Sequence, residues 1–429
     1  MASRWATPIV ELVQAGASPK FDDAAVAVFL RLGYFIGDDT PFESVRAFPV
    51  GGVLRWSLAD GLHVTGTKPG PRVDSAIGKR EALESYVDRF RSAVSRSLPA
   101  DQAATVLPLS GGRDSRHIAF EMHRCGFRPG LVISQRHFAS RSNEDARVAA
   151  LLTEALGWTL TTSDQASAPL QSEHEKNRIF ESMTQEHAWF LPSARQIRAG
   201  NYSAVFDGIA GDVLSNGLFC RAAWQAKYDA SQWPELFRAM GVSGAPDGAI
   251  TAVLAPEFAK RWSFEAGLAR WKAELDVHSH EDDPISRFKF WNRTRRCIAP
   301  FAQRYLQGLD IHMPYLDADV ADHLLSLPRR HFESRDFHDE AIALAAPQFA
   351  HIPYESKSID GDLMGHQASL LRSMAKSPRY WRSAALNQHW LRPRLAAALV
   401  SRAAARRVGW VASAAAAAHG IESLAAAMA

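Results

Sequence analysis

Ala103-Ala104-Thr105-Val106-Leu107-Pro108-Leu109-Ser110-Gly111-Gly112-Arg113-Asp114-Ser115 is the stretch on which the fold turns. Its first half, Ala103 to Leu109, is apolar and β-branched enough for a strand. From Ser115 to Cys125 the spacing fits a helix. Between them, Gly111 and Gly112 open backbone angles closed to other residues and let the main chain approach a ligand closely. The N–H groups at the start of the helix point into the same space, carry partial positive charge and suit phosphate oxygens. Ser110 and Ser115 add hydroxyl donors. A carboxylate at Asp114 would repel phosphate, and it makes sense where Mg2+ stands between the two. The plainer alternative is a Ser/Gly turn with Asp114 or Ser115 as a helix cap. The six-residue string after a strand favours a pyrophosphate-binding loop for ATP. Pro108 cannot donate to a central ladder, so it is expected near the end of its strand.

Working outward, the alternation continues. Leu131 to Ser134 is a second strand, Asn143 to Leu156 a helix, Trp158 to Thr162 a third strand and Ser203 to Phe206 a fourth. Polar helical stretches over Glu173 to Met183 and after Pro192 separate the last two. Strands spaced by helices of this length predict βαβ units and a parallel sheet. Ahead of the loop, the first hundred residues read as strands and turns followed by an amphipathic helix from about Lys79 to Ser97. Val53 to Leu58 and Leu62 to Thr65 alternate like strands, and Lys68 to Val73 is a Pro/Gly-rich linker. From Arg221 onward the pattern is mainly helical. The Ala-rich end, Leu391 to Ala429, reads as one or two helices on the surface or at a subunit contact. The expected architecture is therefore α/β, a parallel sheet with flanking helices followed by a mainly helical C-terminal part. A small β-rich domain over residues 1–75, an ATP-binding domain over 76–380 and a helical tail over 381–429 complete it.

Bulk properties narrow the function. At 429 residues with a net charge of +3, the chain has no strong electrostatic case for nucleic acid as a partner. Its three cysteines, Cys125, Cys220 and Cys297, form no CxxC pair, so reduced thiols in a cytoplasmic protein are expected in place of disulfides or zinc. Met1 to Val13 lacks the pattern of a secretory signal, and no apolar run is long enough for a membrane span.

Several motifs together resemble the PP-loop ATP pyrophosphatases, and within them the asparagine-synthetase-like branch. The Ser110 loop is one. Asp207-Gly208-Ile209-Ala210-Gly211-Asp212 resembles a second Gly-rich turn ending in a metal-binding Asp. Met313-Pro314-Tyr315-Leu316-Asp317 resembles the R-x-P-[FY]-L-D motif, with His312 in the place of the Arg. Ile352-Pro353-Tyr354-Glu355-Ser356-Lys357 resembles a late segment ending in a characteristic lysine. Thr40-Pro41-Phe42 through Pro49-Val50-Gly51-Gly52 resembles the end of the glutaminase domain. The resemblance implies a PP-loop/HUP-like fold over roughly residues 25–360, with ATP and Mg2+. It places Ser110, Gly111, Gly112, Asp114, Ser115 and Gly208 on the nucleotide and Asp114 and Asp212 on the metal. Lys357 would stabilise charge as an amine attacks an acyl-adenylate. Pro314 to Asp317 packs near the active site in relatives and reads here as structural, with Asp317 capping the helix Ala318 to Leu327.

Physical alternatives remain beside each assignment. Asp207 or Asp212 can cap a turn, and Asn143 and Glu144 can either reach the nucleotide or serve a helix first turn. Three departures bear on activity. No cysteine precedes Cys125, so the glutaminase nucleophile is missing. Ile209 stands where relatives carry Glu or Tyr and cannot handle the attacking amine's proton. Arg113 and Arg116 replace apolar and small residues, and they either add positive charge near phosphate or point outward. The expected reaction is ATP-dependent amide formation by a carbon–nitrogen ligase. Its partners would be a small-molecule or peptide carboxylate and an amine, as in the tailoring of lactams and macrolactams, with a homodimer or biosynthetic partner protein as company. The alternatives are a nucleotide-binding partner protein without turnover and an ammonia-dependent enzyme.

Overall fold

The computed structural model describes residues 9–16, 20–66, 70–135, 143–164, 169–241, 247–356 and 363–426. Its centre is a five-stranded sheet formed by β3 (Thr105–Pro108), β4 (Gly130–Gln135), β5 (Leu160–Asp164), β6 (Ala204–Phe206) and β7 (Asp310–His312), in the order β5-β4-β3-β6-β7. All four pairings are parallel. Parallel strands need long crossovers, and helices such as Asp114–Arg124, Glu144–Leu156 and Leu191–Ala199 supply them. Pro108 closes β3, and the ladder to β6 uses only Thr105 and Val106, so the missing N–H falls beyond it.

Four strands sit where the alternation places them. The fifth, β7, interrupts a region expected to be helical. Asp310-Ile311-His312 is too short to show a period of two, and it pairs through Ala204↔Asp310, Val205↔Ile311 and Phe206↔His312. That pairing brings the Met313–Asp317 motif to the edge of the sheet beside β6.

Ahead of the sheet, the strand-and-turn reading holds for the hairpin of β1 (Val53–Ser57) and β2 (Gly61–Thr65). It leaves out a helix over Asp23–Leu32. Asp22 caps that helix by accepting from Ala25 N, Gly33 ends it in the left-handed region, and residues 25 to 32 are buried. Val28 and Leu32 join the sheet core, whereas Ala25, Val26, Ala27, Phe29 and Leu30 join a second, helical core.

That second core corrects the surface reading of the Ala-rich end. In the helix Val411–Ala426, Val411, Ala412, Ala414 to Ala418, Gly420, Ile421 and Leu424 are all buried. Small side chains let neighbouring backbones close in: Ser182 Oγ donates to Gly420 O at 3.1 Å, and a Cβ on Gly420 would lie 3.0 Å from that hydroxyl. Composition pointed to helix, but an alanine-rich face carries little amphipathic signal to say which side is buried. Among the described residues, no helix is long and apolar enough to cross a membrane.

Candidate active site

The carboxyl ends of β3 and β6, neighbours in the sheet, carry the two Gly-rich loops. In an open parallel sheet this is where ligands bind. The first loop is closed by its own hydroxyls. Ser110 N donates to Ser115 Oγ (3.0 Å), the two hydroxyls lie 3.1 Å apart, and Gly112 N donates to Ser110 Oγ (3.2 Å). Gly111 N donates to Asp145 Oδ1 (2.6 Å). A Cβ on Gly111 would meet Val148 Cβ at 2.8 Å, so only glycine lets the loop pack against the helix Glu144–Leu156. The helix that follows, Asp114–Arg124, starts without a side-chain cap, and its first-turn donors stay at the mouth of the site. Asn143, by contrast, caps the helix Glu144–Leu156 by accepting from Ala146 N at 3.3 Å, and Glu144 pairs with Arg147. Both side chains are thus engaged on their own helix.

The second loop supplies space for Asp114. Cβ atoms on Gly208 and Gly211 would come within 2.7 Å of Asp114 Cβ and 2.5 Å of Asp114 Cγ. The Asp114 carboxylate leans into this gap, and Oδ2 accepts from the backbone N–H of Asp212 at 3.1 Å. The two acidic residues are therefore brought together from strands far apart in sequence. Asp207 does cap a turn, since its Oδ1 accepts from Ile209 N at 3.1 Å. Burial pushes its carboxyl up to about 7, against the weaker pull of that N–H.

Neither Arg113 nor Arg116 simply points outward; both are tied into the fold beside the first loop. Arg113 forms a two-point ion pair with Asp339, through Nε to Oδ1 and through Nη2 to Oδ2 (2.8 Å). That pairing raises its pKa. Arg116 is buried and donates to Ile352 O (2.9 Å), Pro353 O (2.6 Å) and Gly111 O (3.2 Å). Both guanidinium groups stack on Tyr354, at 4.5 and 4.2 Å from the ring centre. Glu355 N completes the clamp on Gly111 O at 3.1 Å. The late segment is thereby fastened across the phosphate loop. Lys357 itself lies outside the described residues.

A family model for asparagine synthase matches residues 85–336, more than half of the chain. The chain belongs to the asparagine synthase family. No curated protein matches it. The asparagine synthase match covers the whole sheet and both loops and carries with it ATP-dependent ligase-type activity. Within this asparagine synthase domain, Ile209 is 4 % exposed and part of the sheet core, so the position is given over to packing. Asp317 caps the helix Ala318–Ser326 through Asp319 N, as expected. Tyr315 reaches further than the structural reading of its motif implied, because its hydroxyl lies 3.1 Å from Asp114 O and 3.2 Å from His338 Nε2. His312 replaces the motif's Arg and stacks on Phe206 at 4.7 Å.

His338 and Asp339 escaped the sequence reading. Neither belongs to a motif, and a lone His or Asp near a helix start has no pattern to mark it. Among the described residues one trio offers metal-ligand atoms close together: Glu186, His187 and Cys297. Glu186 is already paired to Arg293 through both oxygens, and burial pushes the Cys297 thiol up to about 12. The trio is thus a charge-compensated core cluster. The Asp114 and Asp212 pair suits Mg2+ better, since that ion takes one or two carboxylates alongside phosphate oxygens. Gly208 and Gly211 leave the room that the Asp114 side chain itself takes up.

Proposed function

We propose that this chain is an ATP-dependent, AMP-forming ligase that adenylates a substrate carboxylate and passes the acyl group to an amine. The observation that carries the reading is the meeting of the two loops at Asp114 and Asp212, within an asparagine synthase domain. Ser110, Gly111, Gly112, Ser115 and Gly208 surround the nucleotide. Asp114 and Asp212 would hold Mg2+, which when bound offsets the charge of the phosphates. A carboxylate oxygen attacks the α-phosphorus and pyrophosphate leaves. The amine then attacks the acyl carbon, AMP leaves with the C–O bond electrons, and the amine gives up a proton. Lys357 follows the segment clamped by Arg116 and is the proposed cation for the charge that develops in this second step.

The amine is taken free or from the same substrate, as in lactam or macrolactam formation, and not from glutamine. The burial of Cys220 and Cys297 supports this choice. ATP use and reduced thiols suit the cytoplasm. The partners of this reading are a small-molecule or peptide carboxylate and an amine, with no nucleic acid or membrane among them. Nucleotide binding without turnover is a second reading, favoured by the buried Ile209. ATP–pyrophosphate exchange with candidate acids and peptides separates them. Exchange that falls at least about 100-fold in Asp114→Asn supports the ligase. Tight ATP binding with no exchange and no AMP release for any acid favours the second reading.

A further inference from the structure

The net charge of +3 hides a separation. Residues 363–421 hold nine Arg and Lys and no Asp or Glu, so against that total the rest of the chain carries −6. The segment includes the helices Leu363–Ala375, Pro378–Arg382, Gln388–Val400 and Arg402–Val408, and its buried apolar side chains belong to the second, helical core and not to the sheet core. Along Gln388–Val400, Leu391, Leu395 and Ala398 are buried, and the other side of the helix exposes Arg392, Ala396, Leu399 and Val400. Val400 is 87 % exposed. From Arg392 to Val400 this strip runs about 12 Å. At its near end Arg392 donates to Trp381 O (3.0 Å), next to the exposed Arg382. At its far end Ser401 caps the following helix by accepting from Ala404 N (3.2 Å), and Arg402 and Arg407 are exposed on that helix. Among the described residues, none of these four guanidinium groups has an ion pair. Glu422, which follows the segment, already accepts from Ala384 N at 2.7 Å and from Ser383.

We propose that this face docks an acidic peptide segment that also carries aliphatic side chains. Its carboxylates meet Arg382 and Arg392 at one end and Arg402 and Arg407 at the other, and an aliphatic residue rests on Leu399 and Val400. About four residues of extended chain cover the distance. Two other polyanions fit less well. Nucleic acid bases stack on open aromatic faces, and here Arg394 lies over the Trp390 ring at 3.6 Å. An anionic bilayer takes up a broad apolar helix face, and on Gln388–Val400 that face is spent on the core. The docking face uses no residue of the two Gly-rich loops, so it stands apart from the ligase reading.

The experiment follows the fluorescence anisotropy of a labelled Glu-Glu-Leu repeat peptide titrated with the full chain, without nucleotide. Binding is expected, and it weakens as salt rises. Arg382→Glu and Arg407→Glu, one at each end, should each weaken it about threefold and together about tenfold. Val400→Ser should weaken it about threefold, because the partial burial of a valine is lost. Arg55→Glu makes the same charge change on the exposed β1–β2 hairpin and is expected to leave binding unchanged. The proposal is overturned if the peptide does not bind, if Arg382→Glu and Arg407→Glu bind like the parent, or if Arg55→Glu loses as much as they do. Tighter binding of oligothymidylate or of phosphatidylserine vesicles than of the peptide would also overturn it.

Discussion

The two Gly-rich loops look alike in sequence and do opposite work. Each follows a strand and contains an Asp at the start of a helix. The Ser110 loop is tied together by its own hydroxyls and N–H groups, and Gly111 serves close approach to a neighbouring helix. The Asp207 loop makes room: both Gly208 and Gly211 would strike Asp114 if they carried a Cβ. One loop is built of donors, the other of missing atoms. A glycine's role is therefore read from what its absent side chain would meet and not from the motif it sits in.

The sharpest way to break that contrast is to add a methyl group to each loop. Gly211→Ala would put Cβ 2.5 Å from Asp114 Cγ, 2.6 Å from Oδ1 and 2.9 Å from Tyr315 Cζ, a collision with two packed side chains. It is expected to cost about 3 kcal/mol of stability in urea melts. Gly112→Ala meets only Ser110 Oγ at 3.2 Å and Glu355 Oε1 at 3.8 Å, and should lose well under half of that. Equal losses would show that the loops are not divided in this way.

Next in size is Arg116→Ala, which tests what holds the first loop to the late segment. The variant leaves three carbonyls, at Gly111, Ile352 and Pro353, without this donor and is expected to cost about 2 kcal/mol. Hydrogen exchange at the Glu355 amide should rise with it, because that N–H bonds to Gly111 O. Unchanged protection at Glu355 would mean that the backbone contact stands without the clamp.

The smallest effect concerns Asp207. Its carboxyl lies near 7 in the folded protein, against 3.8 as an ordinary carboxyl. The folded state therefore binds a proton that the unfolded chain has released between about pH 4 and pH 7. Stability drains away as pH rises through that window and levels off above it. Asp207→Asn removes this slope and keeps an oxygen for Ile209 N–H. Its advantage over the parent should grow from nearly nothing at pH 4 to a plateau above about pH 7, read from melts across pH. A flat difference would place the Asp207 carboxylate in contact with solvent.

Local signals were legible before any coordinates, and long-range ones were not. A strand, two glycines and a helix start are all within thirteen residues, so the strand–loop–helix unit could be read directly. That Asp114 and Asp212 meet followed from strand ends sharing one edge of a parallel sheet. Apart from Gly111 O, the partners of Arg113 and Arg116 lie more than two hundred residues away, and no local pattern names them. His338 was illegible for the same reason: a single histidine has no period. The terminal alanines failed differently, because helix propensity is a local property and burial is a property of whatever packs against the helix.

That burial sets a problem of timing. The apolar helix Asp23–Leu32 leaves the ribosome early, while its companion in the second core, Val411–Ala426, follows nearly the whole chain later. At 5–20 residues per second the gap is roughly 20–80 s. Part of the early helix's cover, from Trp262 and the helix Phe264–Asp276, follows sooner, so only the face that awaits Val411–Ala426 stays open through that interval.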